Sequence, residues 1–292
     1  MEPLPNDVEL FAETKCVVGE GPLWIADEEC FYWIDLRQGN IYRKKDNTNA
    51  SDFEVFKLNV GYIGGIVRCQ SKKFLLFCEY GFVYEWVAGD VPTKIAKLSV
   101  ANDSRFNDVF PSVDGGVFCT VAPTKTKKGQ LWYFSVNREF SVIENALNGM
   151  PNGMGISPDG KTFYLTVSDE RIIYKYSYEN SKITNRSVFV KIPDTEGLPD
   201  GMAVDAHGNV WSAQWNGYRL VKYSPKGDKI SEIKFPIAKV SSLAFGGRSL
   251  DKIIITSANT PWSDDDFKNY QSGKTFIMQS NQIGLNRPLA KF

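Results

Sequence analysis

Short runs of β-branched and aromatic residues alternate with turns rich in glycine and aspartate along the chain. The pattern is clearest after Gly153, where a first run is followed by the turn Pro158-Asp-Gly-Lys and by two further runs beginning at Thr162 and Arg171. Such alternation predicts strands joined by tight turns. No segment shows a sustained helical apolar period with caps, so little helix is expected. The pattern predicts an all-β protein made of units of strand, turn, strand, turn and strand.

One fragment recurs six times, each time at the start of a strand-like run. Its copies are Glu20-Gly-Pro-Leu-Trp, Gly64-Gly-Ile-Val-Arg, Asn107-Asp-Val-Phe-Pro, Asn152-Gly-Met-Gly-Ile, Asp200-Gly-Met-Ala-Val and Ser241-Ser-Leu-Ala-Phe. A repeat of about 40 to 50 residues built of short strands is typical of a β-propeller with one blade per repeat. The run that begins at Val8 has no blade of its own. We therefore predict a single domain, 1–292, forming a six-bladed propeller whose N- and C-terminal strands close the ring in one blade.

Equivalent positions of all blades form a ring at the mouth of a propeller channel. Four of the six ring positions carry a carboxylate or amide: Glu20, Asn107, Asn152 and Asp200. An all-oxygen set suits hard cations such as calcium, magnesium or manganese. Asn-Gly and Asp-Gly are also ordinary turn dipeptides. The coincidence of four positions, one of them Glu-Gly, favours a metal site, because carboxylates buried together without a cation repel one another.

Composition excludes several classes of function. Lysine plus arginine equals aspartate plus glutamate at 34 each, which gives no electrostatic case for binding nucleic acid or an anionic membrane. The five cysteines lack a C-x-x-C motif and are expected to be reduced, mostly buried thiols. The single histidine, His207, lies in a turn-like segment, which argues against serine–histidine catalysis and histidine-rich metal sites. The N-terminal segment has no signal-peptide pattern, so a cytoplasmic location is expected.

These motifs together resemble the SMP-30/gluconolactonase/luciferin-regenerating-like family, which includes regucalcin and sugar lactonases. The matching segments are Gly19-Glu-Gly-Pro-Leu-Trp, Arg105-Phe-Asn-Asp, Asn152-Gly with Ser157-Pro-Asp-Gly-Lys, Pro199-Asp-Gly-Met, and Ser242-Leu-Ala-Phe-Gly-Gly with Thr256-Ser-Ala. The resemblance implies a six-bladed propeller that holds one divalent metal on Glu20, Asn152 and Asp200. It also implies that Arg105 and Asn107 bind the substrate, which moves Asn107 from metal ligand to substrate contact.

The chain departs from the family pattern in blade three. Regucalcin-like members have acidic residues in the loop after the middle strand, whereas segment 119–129 has three lysines and no carboxylate. Val109 also stands where glycine usually follows the Arg105-Phe-Asn-Asp motif. These changes leave the identity of the substrate open. The Lys-rich 124–129 loop is either a basic lid that favours an anionic substrate or a solvated loop.

The predicted activity is metal-dependent hydrolysis of a sugar-acid lactone, a small-molecule substrate. The metal would act as a Lewis acid, and Asp200 would be the catalytic base that assists attack by water. Calcium is the first candidate metal, and an oxygen triad also accepts zinc, manganese, magnesium or iron(II). The alternatives are a metal-dependent aryl-ester or organophosphate hydrolase and a non-catalytic calcium-binding propeller. The sequence leaves the oligomeric state open.

Overall fold

The computed structural model describes residues 4–99, 103–260 and 271–292. Within those ranges the chain forms strands and no helix, in six four-stranded antiparallel sheets arranged as the blades of a propeller. The segments 1–3, 100–102 and 261–270 of the predicted domain lie outside the described residues. The all-β, six-bladed prediction is confirmed.

The strands follow the predicted repeat. Blade one contains β2 (Gly19–Ile25), β3 (Cys30–Asp35), β4 (Asn40–Lys45) and β5 (Glu54–Lys57), and β1 (Val8–Ala12) precedes it. Blade two contains β6 (Ile63–Arg68), β7 (Phe74–Cys78), β8 (Phe82–Trp86) and β9 (Thr93–Lys97). Blade three contains β10 (Phe106–Pro111), β11 (Val117–Val121), β12 (Gly129–Phe134) and β13 (Phe140–Leu147). Blade four contains β14 (Pro151–Ile156), β15 (Thr162–Val167), β16 (Ile172–Glu179) and β17 (Lys182–Lys191). Blade five contains β18 (Leu198–Val204), β19 (Val210–Trp215), β20 (Arg219–Tyr223) and β21 (Lys229–Lys234). Blade six contains β22 (Val240–Gly246), β23 (Lys252–Ser257) and β24 (Thr275–Gln279).

The ring closes as predicted, because β1 pairs antiparallel with β24 and becomes the outer strand of blade six. The sequence analysis predicted three strands per repeat. Each of the other blades has a fourth strand at its outer edge, which was not predicted. These outer strands are largely exposed, as β5, β9 and β17 show. A solvated edge strand needs no apolar alternation, so its sequence resembles that of a loop.

Aromatic side chains join neighbouring blades. The rings of Phe77 in blade two and Phe106 in blade three meet edge to face with centroids 5.2 Å apart. Between blades three and four, Phe118 and Phe163 lie 4.8 Å apart. The five cysteines are free and buried, as expected from their spacing. Among the described residues there is no helix that could span a membrane.

The chain ends in a segment that crosses the channel mouth opposite the ring residues; we call residues 281–292 the C-terminal strap. Near its start, the Gly284 amide donates to the Leu250 carbonyl of blade six at 2.8 Å. Near its end, the Ala290 amide donates to the Arg68 carbonyl of blade two at 3.0 Å. Arg287, between these anchors, is half-buried with its guanidinium carbon 5.7 Å from the Phe110 ring centroid. The strap therefore places an arginine inside the channel.

Candidate functional site

The inner strand of every blade begins with a β-bulge. The register with the neighbouring strand shifts there in all six blades, for example between Glu20 and Leu23 in blade one. A bulge re-aims side chains that regular pleating would send to the faces of the sheet. The inner strands also converge closely, since a Cβ atom on Gly153 would lie 2.5 Å from the Met202 nitrogen. Repeated bulges on closely spaced strands thus direct the ring residues into the channel mouth.

A cavity of about 320 Å³ opens at this mouth. All five residues predicted for the site line it: Glu20, Arg105, Asn107, Asn152 and Asp200. The other lining residues are Val18, Leu36, Arg37, Pro123, Met150, Ser168, Asp169, Leu198 and Trp215. The structure therefore brings the predicted residues together around one space, while their individual roles remain predictions.

A directional chain of hydrogen bonds crosses blades three to five. Arg105 Nη1 donates to Asn107 Oδ1, and Asn107 Nδ2 donates to Asn152 Oδ1. Asn152 Nδ2 then donates to Ser168 Oγ at 2.7 Å, and Ser168 Oγ donates to the Pro199 carbonyl at 2.6 Å. This series of hydrogen bonds determines which atom of the Asn107 and Asn152 side-chain amides is the acceptor. An amide oxygen has two lone pairs, so Asn152 Oδ1 can accept from Asn107 and still bind a cation.

The two ring carboxylates are poorly solvated. Burial raises the pKa of the Glu20 carboxyl well above its usual value, and the nearby Asp200 and Asp108 raise it further. Burial likewise raises the pKa of Asp200, an effect that Asp108 increases and Arg105 opposes. Glu20 accepts a hydrogen bond from the Gly21 amide at 3.1 Å, and no donor among the described residues reaches the Asp200 carboxylate. The pair thus lacks the partners that normally stabilise buried negative charge.

This donor set fits a hard divalent cation. An ion between the carboxylates would offset both their repulsion and their burial, and Asn152 would add a neutral oxygen. In the described part of the chain, no three side chains of the His, Cys, Asp and Glu types form a group able to hold a metal ion. Amide, backbone and water oxygens are the further ligands that a hard cation accepts beside carboxylates. Glu20, Asn152 and Asp200 are the residues that could hold such an ion.

Arg105 belongs to a second tier of the cavity wall. It lies two positions before the ring residue of its blade, and the same offset gives Val18 in blade one, Met150 in blade four and Leu198 in blade five. Burial lowers the pKa of the Arg105 guanidinium to about 10, and the neighbouring Arg37 contributes to that decrease. The wall is cationic towards blades one and three, whereas blades four and five contribute mainly apolar side chains together with Ser168 and Asp169.

Ser168 and Arg37 are site residues that the sequence analysis missed. Both follow the middle strand of their blade, at the end nearest the channel mouth, where β15 and β3 finish. The sequence analysis compared equivalent positions of the blades only at the starts of the inner strands. The same comparison at the ends of the middle strands would have identified both residues. Nothing in the sequence indicates that Ser168 receives a hydrogen bond from Asn152, because that contact joins two different strands.

The two departures in blade three do not alter the ring. In the Lys-rich 124–129 loop the lysines are exposed and do not line the cavity, which favours the solvated loop. The loop closes on itself through the Thr124 amide, which donates to the Lys127 carbonyl at 2.8 Å. Val109 is buried against Gly65, where a Cβ atom would lie 2.5 Å from a valine methyl group. The absence of a side chain at Gly65 in blade two thus makes room for the larger side chain of Val109 in blade three.

Comparisons with known proteins agree with this architecture. A family model described as the SMP-30/Gluconolactonase/LRE-like region matches residues 18–259. The chain is 37% identical over 248 residues to pentonolactonase XacC of Haloferax volcanii, covering 84% of this chain and 83% of that protein. It is 26% identical over 289 residues to L-arabinolactonase of Azospirillum brasilense, covering 94% and 93%. A solved structure from Agrobacterium tumefaciens, described as the calcium-binding protein regucalcin, shares the fold with a TM-score of 0.88 at 22% identity over 97% of both chains.

Proposed function

The chain belongs to the SMP-30/gluconolactonase/LRE-like family, and from that premise we propose that it is a metal-dependent sugar lactonase. The observation that carries the proposal is the pair of carboxylates, half-buried Glu20 and buried Asp200, in a cavity that also holds amides and arginines. The relatives named pentonolactonase and L-arabinolactonase support a sugar lactone as the substrate class.

Glu20, Asn152 and Asp200 would hold one divalent ion. Calcium is the first candidate because the donors are all oxygen, and the regucalcin of A. tumefaciens is described as calcium-binding. When bound, such an ion supplies Lewis-acid polarisation of the lactone carbonyl and stabilises the developing negative charge. Its identity among calcium, magnesium, manganese, zinc and iron(II) depends on supply as well as on ligand type.

The chain's own residues bind the substrate and move the proton. Arg105 and Asn107 donate hydrogen bonds to the sugar oxygens and orient the ring. Asp200 accepts a proton from the attacking water as its oxygen bonds to the carbonyl carbon. The ring carbon–oxygen bond then breaks, and the ring oxygen leaves as a hydroxyl after taking up a proton. The net reaction adds one water to the lactone and gives a hydroxy acid.

The apolar side of the cavity complements this chemistry. Met150, Leu198 and Trp215 line it beside the ring. Apolar walls pack against the carbon–hydrogen face of a sugar and limit the water that reaches the reacting carbon. A five- or six-membered sugar lactone fits within a space of about 320 Å³.

The direct test measures hydrolysis of glucono- and pentonolactones above the buffer blank, before and after chelation and with calcium, magnesium or manganese restored. We expect chelation to abolish turnover and Asp200→Ala to lower kcat by about 10³-fold. Glu20→Gln should weaken metal binding by roughly 100-fold in calorimetry. Asp90→Ala, which removes an exposed acid, is the matched control.

Each part of the proposal can fail separately. Full metal-dependent activity in Asp200→Ala would refute the catalytic base, and unchanged metal affinity in Glu20→Gln would refute the ligand set. Turnover of phenyl acetate or paraoxon without turnover of any lactone would instead support an aryl-ester or organophosphate hydrolase. Metal binding without turnover of any of these substrates would support a non-catalytic propeller.

A further inference from the structure

We propose that three buried hydroxyl groups position the candidate metal ligands by holding the backbone immediately before each of them. The pairs of hydroxyl residue and ligand are Ser241 with Glu20, Thr120 with Asn152, and Ser168 with Asp200. The inference rests on the metal site of the proposed function and identifies residues that shape it. Ser241 and Thr120 do not line the 320 Å³ cavity, so they would act through the ligands without touching the ion.

The same contact precedes each of the three ligands. In each case a hydroxyl donates a hydrogen bond to the carbonyl of the residue before the ligand. The bonds run from Ser241 Oγ to the Gly19 carbonyl at 2.6 Å, from Thr120 Oγ1 to the Pro151 carbonyl at 3.1 Å, and from Ser168 Oγ to the Pro199 carbonyl at 2.6 Å. All three hydroxyl residues are buried, and each belongs to the blade before that of its ligand.

The carbonyl before a ligand controls the backbone from which that ligand projects. In a planar peptide unit, the carbonyl oxygen lies in one plane with the nitrogen and the Cα atom of the following residue. A hydrogen bond to the Gly19 carbonyl therefore restrains the Cα atom of Glu20, and with it the start of the side chain. Calcium binds oxygen ligands at about 2.3–2.6 Å, so a small displacement of one ligand weakens the site.

The hydroxyls coincide with the ligands. The innermost strand of each blade is an edge strand, which leaves some of its carbonyls without a partner in its own sheet. Between the described residues, no side-chain hydroxyl donates to the equivalent carbonyls of Ile63, Phe106 and Val240 in blades two, three and six. The ring positions of those three blades carry none of the three ligands. The need to satisfy buried carbonyls therefore does not by itself explain where the hydroxyls occur.

Ser241 gives the small ring residue of blade six a role. Its hydroxyl lies 3.0 Å from Thr256 Oγ1. A hydroxyl carries one proton, and Ser241 uses its own for the Gly19 carbonyl, so Thr256 is the donor in that contact. The backbone before Glu20 is further confined by blade six, because a Cβ atom on Gly19 would lie 2.7 Å from the Ser257 carbonyl oxygen.

Thr120 has a similar arrangement near the end of β11. The Asp108 amide donates to Thr120 Oγ1 at 2.9 Å, which leaves the hydroxyl proton for the Pro151 carbonyl, with the Asp108 carbonyl at 3.3 Å as a second acceptor. The Pro151 carbonyl also accepts from Asn107 Nδ2 at 3.0 Å. Loss of the Thr120 hydroxyl would therefore leave this carbonyl with one donor, and its effect should be smaller than that of Ser241.

Thr166 in blade four is a matched control for Thr120. Each of the two threonines precedes the last residue of its middle strand, Val121 or Val167, and that residue pairs with the one before the ring position. Thr166 is buried, and its hydroxyl has no hydrogen-bond partner in the described part of the chain. Thr166→Val thus removes a buried hydroxyl of the same kind without removing a bond to a carbonyl.

The test measures binding of calcium, magnesium and manganese to the full-length protein by calorimetry. Ser241→Ala should weaken the affinity for the ion that binds the parent most tightly by about tenfold. Thr120→Val should weaken it by about threefold, because Asn107 still donates to the Pro151 carbonyl. Thr120→Ser, which keeps the hydroxyl, and Thr166→Val should both retain the parent affinity.

Two further readouts separate positioning from a general loss of stability. The rise in Tm on adding the ion should be smaller in Ser241→Ala than in the parent and unchanged in Thr166→Val, whatever the Tm of the metal-free proteins. The loss of affinity caused by Ser241→Ala should also shrink in a Glu20→Gln background, because the hydroxyl acts through that carboxylate.

Parent-like affinity in both Ser241→Ala and Thr120→Val would overturn the positioning role while leaving the metal site and the lactonase proposal standing. A loss of affinity in Thr166→Val equal to that in Thr120→Val would overturn it as well. Weaker metal binding in the two variants without turnover of any lactone by the parent would refute the lactonase and support the positioning role. No binding of these ions by the parent would refute the ligand set and the positioning role together.

Discussion

The channel contains buried carboxylates at two depths, and they are neutralised in different ways. Burial raises the pKa of Asp108, deep in the channel, to about 6, and the rise is limited by a hydrogen bond from the Val109 amide and by the charge of Arg287 in the C-terminal strap. Glu20 and Asp200, at the mouth, are influenced by the charge of Arg105, and Glu20 also by the Gly21 amide, but burial and the nearby carboxylates raise their pKa values well above the usual range. The fold thus places the positive charge of Arg287 near Asp108, whereas the charge of Arg105 leaves the pKa values of Glu20 and Asp200 well above their usual range.

The difference also separates structure from function. Asp108 of blade three and Arg287 of the strap line a separate, small space away from the 320 Å³ cavity. The Glu20–Asp200 pair joins blades one and five across open space. A buried charge that other groups of the protein compensate contributes to stability. Charges at an opening that the protein does not compensate are candidates for binding a ligand.

Arg287→Met tests the deep pair and should have the largest effect. Removal of the guanidinium leaves the poorly solvated Asp108 without a nearby positive charge, which should lower the free energy of unfolding by about 2 kcal/mol at pH 8. Urea denaturation measures the loss. Adding Asp108→Asn should recover much of it, and Arg248→Met, at an exposed ion pair, is the control. Equal stability of Arg287→Met and the parent protein would show that Asp108 needs no partner.

Ser168→Ala tests the outer site through its hydrogen-bond chain. Without Ser168 Oγ the Asn152 amide loses the acceptor for its Nδ2 group, so its oxygen is less well oriented. Metal affinity should fall about tenfold or more in calorimetry, with kcat falling less at saturating metal. Ser112→Ala removes another buried hydroxyl, bonded to Tyr178, and should leave the affinity unchanged. Equal losses in both variants would contradict a positioning role for Ser168.

The pH dependence of stability tests the outer pair without changing its surroundings, and it gives a gradual change in place of a single loss. Because the folded-state pKa values of Glu20 and Asp200 lie above the ordinary 4.5 and 3.8, the folded protein binds more protons than the unfolded chain above those values. The free energy of unfolding of the metal-free protein should therefore fall as pH rises from about 5 to 7, by at most about 1.4 kcal/mol per pH unit for each group. Glu20→Gln or saturating calcium should reduce this slope, while Asp108, whose raised pKa is about 6, keeps part of it. A slope of the same size in Glu20→Gln would show that other groups cause it.

The sequence predicts the inner half of this molecule much better than its outer half. Inner strands carry the repeat, because their bulges, glycines and ring residues recur at equivalent positions, and Glu20, Asn152 and Asp200 could be aligned from it alone. The outer strand β17 is mostly exposed and lacks the alternation that identifies a strand. Arg287 lies in the C-terminal strap, whose sequence lacks the alternation that identifies a strand. Asp108 lies far from it in sequence, and only closure of the ring brings the two residues to the same space. Contacts of that kind depend on the assembled fold and leave no local signal.

The C-terminal strap affects how small molecules can reach and leave the ring residues. Within the described part of the chain, the space beside Asp108 and Arg287 is about 10 Å³, hardly enough for one water molecule, so the channel is closed at that depth. If the proposed function is correct, a hydroxy acid formed at the ring would leave by the opening through which the next lactone enters. Among the described residues no second route reaches the ring, so bound product would block the entry of substrate.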